Sequence, residues 1–293
     1  MLKDDAKWPR AAHWFVPDVG TKADFALIGV PANQTSISTT GANATPDAIR
    51  EALLRYSLAS SNGSLESLTA IDAGNVSDPD RNESKTIDKV AQLASRTRLV
   101  MALGGDNSVT YATALGSLST SLATAGLITF DAHHDIRHGV SNGSPVRRLI
   151  EAGLDPRRIV QIGINDFSNS PAYSGDAAEF GIHVIHRDEL ETRALADVMA
   201  EAFEIAGAAG GPIHVDIDVD VCDRAFVPAC PAAAPGGITP HQLRKLTRLA
   251  AANHQVVSMD ITEIDATADS ADGRTVRLGA LLVLEAAAGL LAR

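Results

Sequence analysis

Leu127-Ile-Thr-Phe130 runs without a break into Asp131-Ala-His133-His134-Asp135. Four apolar or β-branched residues in a row suit a strand covered on both faces, and such strands belong to parallel sheets flanked by helices. The acids and imidazoles that follow stand where a strand end feeds a loop, the place where α/β proteins gather their chemistry. The pattern recurs twice. Leu99-Val-Met-Ala-Leu103 leads into Gly104-Gly105-Asp106-Asn107, and Ile213-His-Val leads into Asp216, Asp218, Asp220 and Asp223. Three strand ends rich in oxygen and nitrogen ligands are the main functional signal, and they commit the chain to an α/β architecture.

The rest of the chain agrees. Further strand candidates are Phe25–Val30, Thr69–Ala73, Ile159–Gly163, Ile182–Ile185 and Val256–Asp260, which makes eight in all. Helical stretches separate most of them. Thr45-Pro46 predicts an N-cap followed by proline at the first helical position. Thr239-Pro-His-Gln242 predicts a capping box opening a helix to about Ala252, and Val276–Leu291 reads as a long Ala/Leu helix. Alternating strands and helices predict right-handed crossovers and a three-layer α/β/α sandwich around an eight-stranded parallel sheet. With no internal repeat and no long linker, residues 1–293 form one domain. Residues 1–24, with Trp8, Trp14, Phe15 and Pro17, are expected to be an N-terminal arm packing against something such as a neighbouring subunit.

Charge narrows the function. A net charge of −11 without a dense Lys/Arg cluster argues against nucleic acid and anionic membranes as partners. No hydrophobic leader precedes Trp8, and no apolar run reaches the ~20 residues of a membrane span. Cys222 and Cys230 are too few for a disulfide framework, so a cytoplasmic location is expected. Neither cysteine has an obvious histidine base beside it, and neither is read as a nucleophile.

Spacing by two turns Asp131, His133 and Asp135 to one side of the strand end, and relates Asp216 to Asp218 and Asp218 to Asp220 in the same way. So many carboxylates cannot gather at neutral pH without positive charge. Two divalent ions joined by a bridging carboxylate would supply it, and Mn²⁺ suits a set of carboxylates with imidazole. Such ions lower the pKa of a shared water, which then attacks as hydroxide.

Gly104-Gly105-Asp106-Asn107-Ser108, Asp131-Ala-His133-His-Asp135 and Asp218-Val-Asp220 with Phe226-Val-Pro228 and Gly236-Gly237 resemble the ureohydrolases: arginase, agmatinase, formimidoylglutamase and guanidino-acid hydrolases. The resemblance runs from about Ala26 to the C-terminus. It implies a binuclear Mn²⁺ centre, hydrolysis of a linear amidine or guanidine C–N bond, and a homo-oligomer, trimer or hexamer. By position, Asp131 and Asp218 would bridge the ions, Asp135 would bind the first ion and orient the hydroxide, and His133 and Asp220 would complete the second. Glu263 would pair with the cationic amidine.

The departures sharpen the expectation. Asn107 replaces a histidine ligand, so its amide oxygen would bind the first Mn²⁺ weakly. Asn142-Gly-Ser144-Pro145 stands where arginase-like members carry a histidine shuttle, and Asp135-Ile-Arg137 with Ser141–Pro145 looks closer to formimidoylglutamases. Arg137 would then hold a substrate carboxylate, with Asn142 and Ser144 beside it. Asp216 stands where the family usually has serine. His134 is expected to face away from the ligands, and His138 to be a solvated loop residue. The expected reaction is formimidoylglutamate to glutamate and formamide. The alternatives are urea release from agmatine, arginine or a guanidino acid, and a non-catalytic metal-binding scaffold on the same fold; a related metal-dependent deacetylase is a further rival.

Overall fold

A computed structural model describes residues 5–293; the first four positions of the expected arm lie outside the described residues. The strands are β1 (Val16–Pro17), β2 (Ala23–Val30), β3 (Ala59–Ser60), β4 (Gly63–Ser64), β5 (Ala70–Asn75), β6 (Thr97–Gly104), β7 (Gly126–Phe130), β8 (Ile159–Ile164), β9 (His183–His186), β10 (Ile213–Asp218) and β11 (Val256–Thr262). The α-helices are α1 (Thr45–Ala52), α2 (Glu83–Ala94), α3 (Val109–Leu118), α4 (Pro145–Glu151), α5 (Pro171–Phe180), α6 (Glu189–Thr192), α7 (Leu195–Ala206), α8 (Pro240–Ala252) and α9 (Arg274–Leu291).

Nine strands form one sheet in the order β1-β5-β2-β6-β11-β10-β7-β8-β9, and every pairing within it is parallel. The eight expected strands are all present. The ninth, β1, is a two-residue edge strand whose side chains are exposed, so it carries no apolar signature to read. β3 and β4 make a separate small hairpin.

Alternation along the strands builds a core on each face. Phe25, Leu27, Leu99, Met101, Ile128 and Phe130 point to the layer of α1, α7, α8 and α9, while Ala26, Ile28, Val100 and Ala102 point to the layer containing α2 and α3. Both layers being helical makes the sandwich three-layered. The arm packs on its own sheet: Ala11 is buried, Trp14 stacks near Phe25, and Val16–Pro17 pairs with β5. No helix among the described residues is long and apolar enough to cross a membrane.

The capping box at α8 forms as expected. Gln242 N–H donates to Thr239 Oγ1 (3.2 Å) and Thr239 N–H to Gln242 Oε1 (2.9 Å). Thr45 differs: it is already inside α1, and its hydroxyl donates to the carbonyl of Ile264 and accepts from Ala266 N–H (3.2 Å). A distant loop claims the side chain that local sequence assigns to a cap.

What matters most for function is the sheet order. β6, β11, β10 and β7 lie side by side at its centre, and their C-terminal ends carry the three ligand-rich segments together with Thr262-Glu263. Earlier strands extend from β6 in one direction and β8 and β9 from β7 in the other, so these ends flank the point where the winding reverses.

Candidate active site

Gly105 makes the first wall. A Cβ there would lie 1.8 Å from the Ala32 carbonyl oxygen, so only glycine lets the turn after β6 pass this close to the end of β2. The turn delivers Asn107 to the sheet centre. From the other side Glu263 N–H donates to the Gly105 carbonyl (2.9 Å), which locks the end of β11 to the same turn.

Two carboxylates of this site stand in left-handed backbone, Asp135 at φ 52° and Glu263 at φ 63°. Outside glycine this conformation is rare, and it persists only where surrounding contacts enforce it. The Asp135 carbonyl takes hydrogen bonds from Val146 and Arg147 N–H at the start of α4 (3.1 and 3.3 Å). Glu263 Oε1 accepts from Asn107 N–H (2.8 Å) and from Asn142 Nδ2 (2.9 Å).

Five of the predicted ligand side chains fall into two overlapping sets. Asp131, Asp135 and Asp218 offer oxygens within 4.8 Å of one another, and so do the ligand atoms of Asp131, His133 and Asp220. Asp131 belongs to both. Asp218 falls with the first set only, so its expected bridging position is not distinguished in this arrangement. His133 Nδ1 lies 2.7 Å from Asp220 Oδ2 and 3.6 Å from Asp131 Oδ1. Asp131 Oδ2 is buried without a hydrogen-bond partner.

Such crowding displaces every titration in the cluster. Burial, then the charges of Asp135 and Asp220, raise Asp131 well above the ordinary carboxylate range, and burial followed by Asp220 does the same to Asp218. Burial pushes Asp135 up to about 7 and Glu263 up to about 7. The Asp220 charge drives His133 up to about 12. Burial opposes ionisation of Asp220 too, but the adjacent His133 cation overrides it and holds that acid low. Among the described residues, four acids thus face one imidazolium, with the Arg137 guanidinium acting on Asp135 as a weaker influence. An orphaned buried oxygen, a carboxylate common to two sets and a hard-oxygen donor set with one imidazole fit a pair of divalent ions such as Mn²⁺.

Three expectations change. Asn107 does not offer its oxygen: Oδ1 accepts from Thr110 Oγ1 (2.7 Å) and Thr262 Oγ1 (2.9 Å), and Nδ2 donates to Asp135 Oδ2 (2.5 Å). It presents a donor to the cluster and orients Asp135. Ser144 is fully buried, exchanging hydrogen bonds with Ser141, and does not line the cavity. Asn142 does line it, but its amide is occupied at both ends, by Glu263 and by Ile37 N–H (3.0 Å). Asn142 braces Glu263 against the loop at 35–37.

Arg137 stands beside the ligand acids. It is exposed at a cavity of about 320 Å³ whose lining also includes Asp135, Asp218, Asp220 and Glu263, and its guanidinium makes no ion pair among the described residues. His134 does not turn away. It is buried and is one of the residues lining the same cavity, because β7 ends at Phe130 and strand alternation no longer governs the residues beyond it. Burial keeps its pKa below that of a free imidazole. His138 is exposed and outside the cavity wall. Burial raises the thiols of Cys222 and Cys230, which suits neither to nucleophilic work.

Some contributors carry little sequence signal. Thr110 lies one helical turn beyond Asn107, a spacing that is readable in retrospect. Thr262 and Gln161 act across strands, and nothing local marks them.

A parallel α/β/α sandwich with an acid-rich pair of ligand sets at its central strand ends is the ureohydrolase arrangement, and the arginase-family model matches residues 23–289. The chain belongs to the arginase family. Within it, the chain is 33% identical over 279 residues to the formimidoylglutamase of Bacillus subtilis, covering 90% of this chain and 86% of that one. A crystal structure of B. subtilis formimidoylglutamase superposes with a TM-score of 0.92 at 29% identity, covering 99% and 94% of the two chains. A Trypanosoma cruzi formiminoglutamase solved with Mn²⁺ shares the fold at a TM-score of 0.90 and 22% identity, over 98% and 99%.

Proposed function

We propose that this chain is a Mn²⁺-dependent formimidoylglutamase, cleaving formimidoylglutamate with water to glutamate and formamide. One observation supports the choice of substrate: the exposed, unpaired Arg137 and the buried Glu263 line one cavity with the ligand acids. That polarity suits a molecule with an amidine at one end and carboxylates at the other. Agmatine, cationic without a carboxylate, would leave Arg137 facing no partner.

Asp131, Asp135 and Asp218 would hold one ion and Asp131, His133 and Asp220 the other. When bound, the ions lower the pKa of a shared water so that hydroxide forms at neutral pH. Glu263 pairs with the amidine cation and fixes its carbon in the cavity. Asp135, oriented by Asn107, takes the proton released as the new C–O bond forms. The same proton goes to the α-nitrogen as its C–N bond breaks, so glutamate leaves as the amine and the oxygen stays with formamide. Asn107 then acts as a brace on Asp135 rather than a ligand, which leaves the first ion with fewer protein donors and weaker retention. The reading carries with it a cytoplasmic homo-oligomer, trimer or hexamer, which sedimentation would test.

The test is product identity. Mn²⁺-reconstituted protein is incubated separately with formimidoylglutamate, agmatine, arginine and guanidino acids, and formamide and urea are assayed. Formamide from the first tube alone is expected. Urea from any other would transfer the assignment to a guanidino substrate, and silence throughout would favour the scaffold.

A further inference from the structure

His134 sits between two expected metal ligands and has no part in the chemistry described above, yet it is held as tightly as they are. Gln161, fully buried on β8, donates from Nε2 to the His134 carbonyl (2.8 Å), and its Oε1 faces His134 Nδ1 at 2.7 Å. A carbonyl only accepts, so the Gln161 end beside it must be the NH₂, and the end beside the ring must be oxygen. Oxygen only accepts in turn, so Nδ1 carries the hydrogen. The main chain is pinned as well: His134 N–H donates to Asn169 Oδ1 (3.0 Å), and Asn169 Nδ2 donates to the Ala132 carbonyl (3.0 Å). With Nδ1 occupied, the lone pair of the neutral ring resides on Nε2. That atom has no hydrogen-bond partner among the described residues, and His134 is one of the residues lining the cavity that holds the ligand acids.

We propose that His134, locked by Gln161 in its Nδ1-protonated form, is a substrate-binding residue whose Nε2 accepts a hydrogen bond from an amidine N–H. The inference deepens the amidine-hydrolase reading and rests on it for the identity of the donor. An amidinium carries N–H groups on both nitrogens. Glu263 serves as one acceptor, and Nε2 is a neutral second one that adds no further negative charge to an acid-rich floor. A cavity wall that holds a fixed acceptor discriminates by hydrogen count: an amidine whose nitrogens carry alkyl groups in place of hydrogen leaves Nε2 desolvated and unpaired.

Two isosteres separate this role from a structural one. His134→Asn retains a polar group near Nδ1 and can keep the Gln161 bond, but it deletes Nε2. His134→Gln reaches the Nε2 position and gives up the Gln161 bond. The Mn²⁺-loaded enzyme and both variants are compared by KM and kcat on formimidoylglutamate, by calorimetric titration with formamidinium as the probe, and by thermal midpoint. A hydrogen bond to a charged donor corresponds to roughly a ten- to hundredfold weakening when lost. H134N should therefore raise KM and weaken formamidinium binding by that factor at an unchanged midpoint. H134Q should bind the probe nearly as the parent does, at a lowered midpoint. The reverse pattern, with H134N binding normally and H134Q poorly, would make His134 a structural pin and overturn the proposal. So would equal binding by all three proteins. The titration keeps the two readings apart: a parent enzyme that turns over no formimidoylglutamate sinks the functional assignment, while the binding order among the three proteins still decides His134.

Discussion

Two clusters of buried acid lie within a few residues of each other on the central strands, and they meet burial in opposite ways. At the strand ends Asp131, Asp135, Asp218 and Asp220 surround His133 and line a cavity. Deeper in the sheet, Asp216 on β10 is in register with Asp260 on β11, and both are fully buried. The interior cluster closes on itself through His214, whose Nδ1 meets Ser258 Oγ at 2.7 Å and whose Nε2 meets Asp260 Oδ2 at 3.1 Å; Ser258 continues to Ser117 at 2.6 Å. Burial, then the Asp260 charge, raises Asp216 well above its ordinary range, so it keeps its proton. A buried carboxylate needs a proton or a cation. In the interior Asp216 has its proton, and Asp260 has the His214 ring beside it. The rim, open to solvent, can exchange its protons for metal ions.

The largest effect should follow from removing a rim acid while preserving its shape. Asp218→Asn leaves the volume unchanged but takes away one negative oxygen of the first ligand set. Its turnover is expected to fall by at least about a thousandfold, with bound Mn²⁺ lost, given the several kcal/mol that a metal centre contributes to the transition state. Turnover and elemental analysis on the purified variant check this. An Asp218→Asn enzyme that holds two ions and turns over normally would remove the basis for distinguishing the rim.

Acidity provides the next contrast. Asp135 and Glu263 have native pKa values of about 7, above their unfolded values, so in the metal-free protein the native state binds more protons than the unfolded chain. His133, pushed up to about 12, has the same sign above its unfolded value. Stability therefore falls as pH rises, and the loss from Glu263 develops between about pH 4.5 and 7. For that group alone it approaches about 3 kcal/mol. Thermal midpoints of metal-free protein are expected to drop from pH 5 to pH 8. Added Mn²⁺ should restore more at pH 8 than at pH 5 and should release protons on binding. A flat or rising metal-free profile would show that the rim is not strained by its own charge.

How far all this was readable depends on how local the determinants are. Both faces of the main strands are covered, so β6, β7 and β10 appear as apolar runs, and their ends display the ligands directly. Short or weakly patterned helices such as α4 and α6 leave no comparable trace. The site follows the same rule. Spacing makes Asp131, His133, Asp135, Asp218 and Asp220 candidates because two strand ends hold them, and the family resemblance singles them out from Asp216 and Asp223. The orientation of Asn107 is set by Thr262, 155 positions away, and Ser144 is withdrawn by its own turn. His134 escapes alternation because β7 stops at Phe130, so the loop and not the strand sets its direction.

Asn107→His tests the rim from the other direction. Imidazole would add a neutral ligand where the amide now presents a donor, and Mn²⁺ retention should improve by about tenfold or more. The hydroxyls of Thr110 and Thr262 would lose their acceptor, which costs about 1 kcal/mol of stability. Dialysis against chelator and a thermal melt measure the two effects separately. Unchanged retention would mean that Asn107 limits orientation of Asp135 and not metal binding.

The smallest effect is the one that decides whether there are two clusters or one. Asp216 lies two residues before Asp218 on the same strand, so proximity alone would make it part of the metal site. Its proton argues otherwise. A protonated carboxyl and an amide have the same shape, and each can donate to Asp260, so Asp216→Asn replaces one neutral donor with another. The substitution should leave Mn²⁺ content unchanged, turnover within about twofold and stability within about 1 kcal/mol. Asp216→Ala would not be equivalent, because it opens a cavity beside Asp260 and strands that carboxylate without its neighbour's proton. If Asp216→Asn emptied the metal site as Asp218→Asn is expected to do, the deeper acid would be charged and coupled to the ions. The boundary between proton-balanced and cation-balanced carboxylates would then lie below Asp216, inside the sheet.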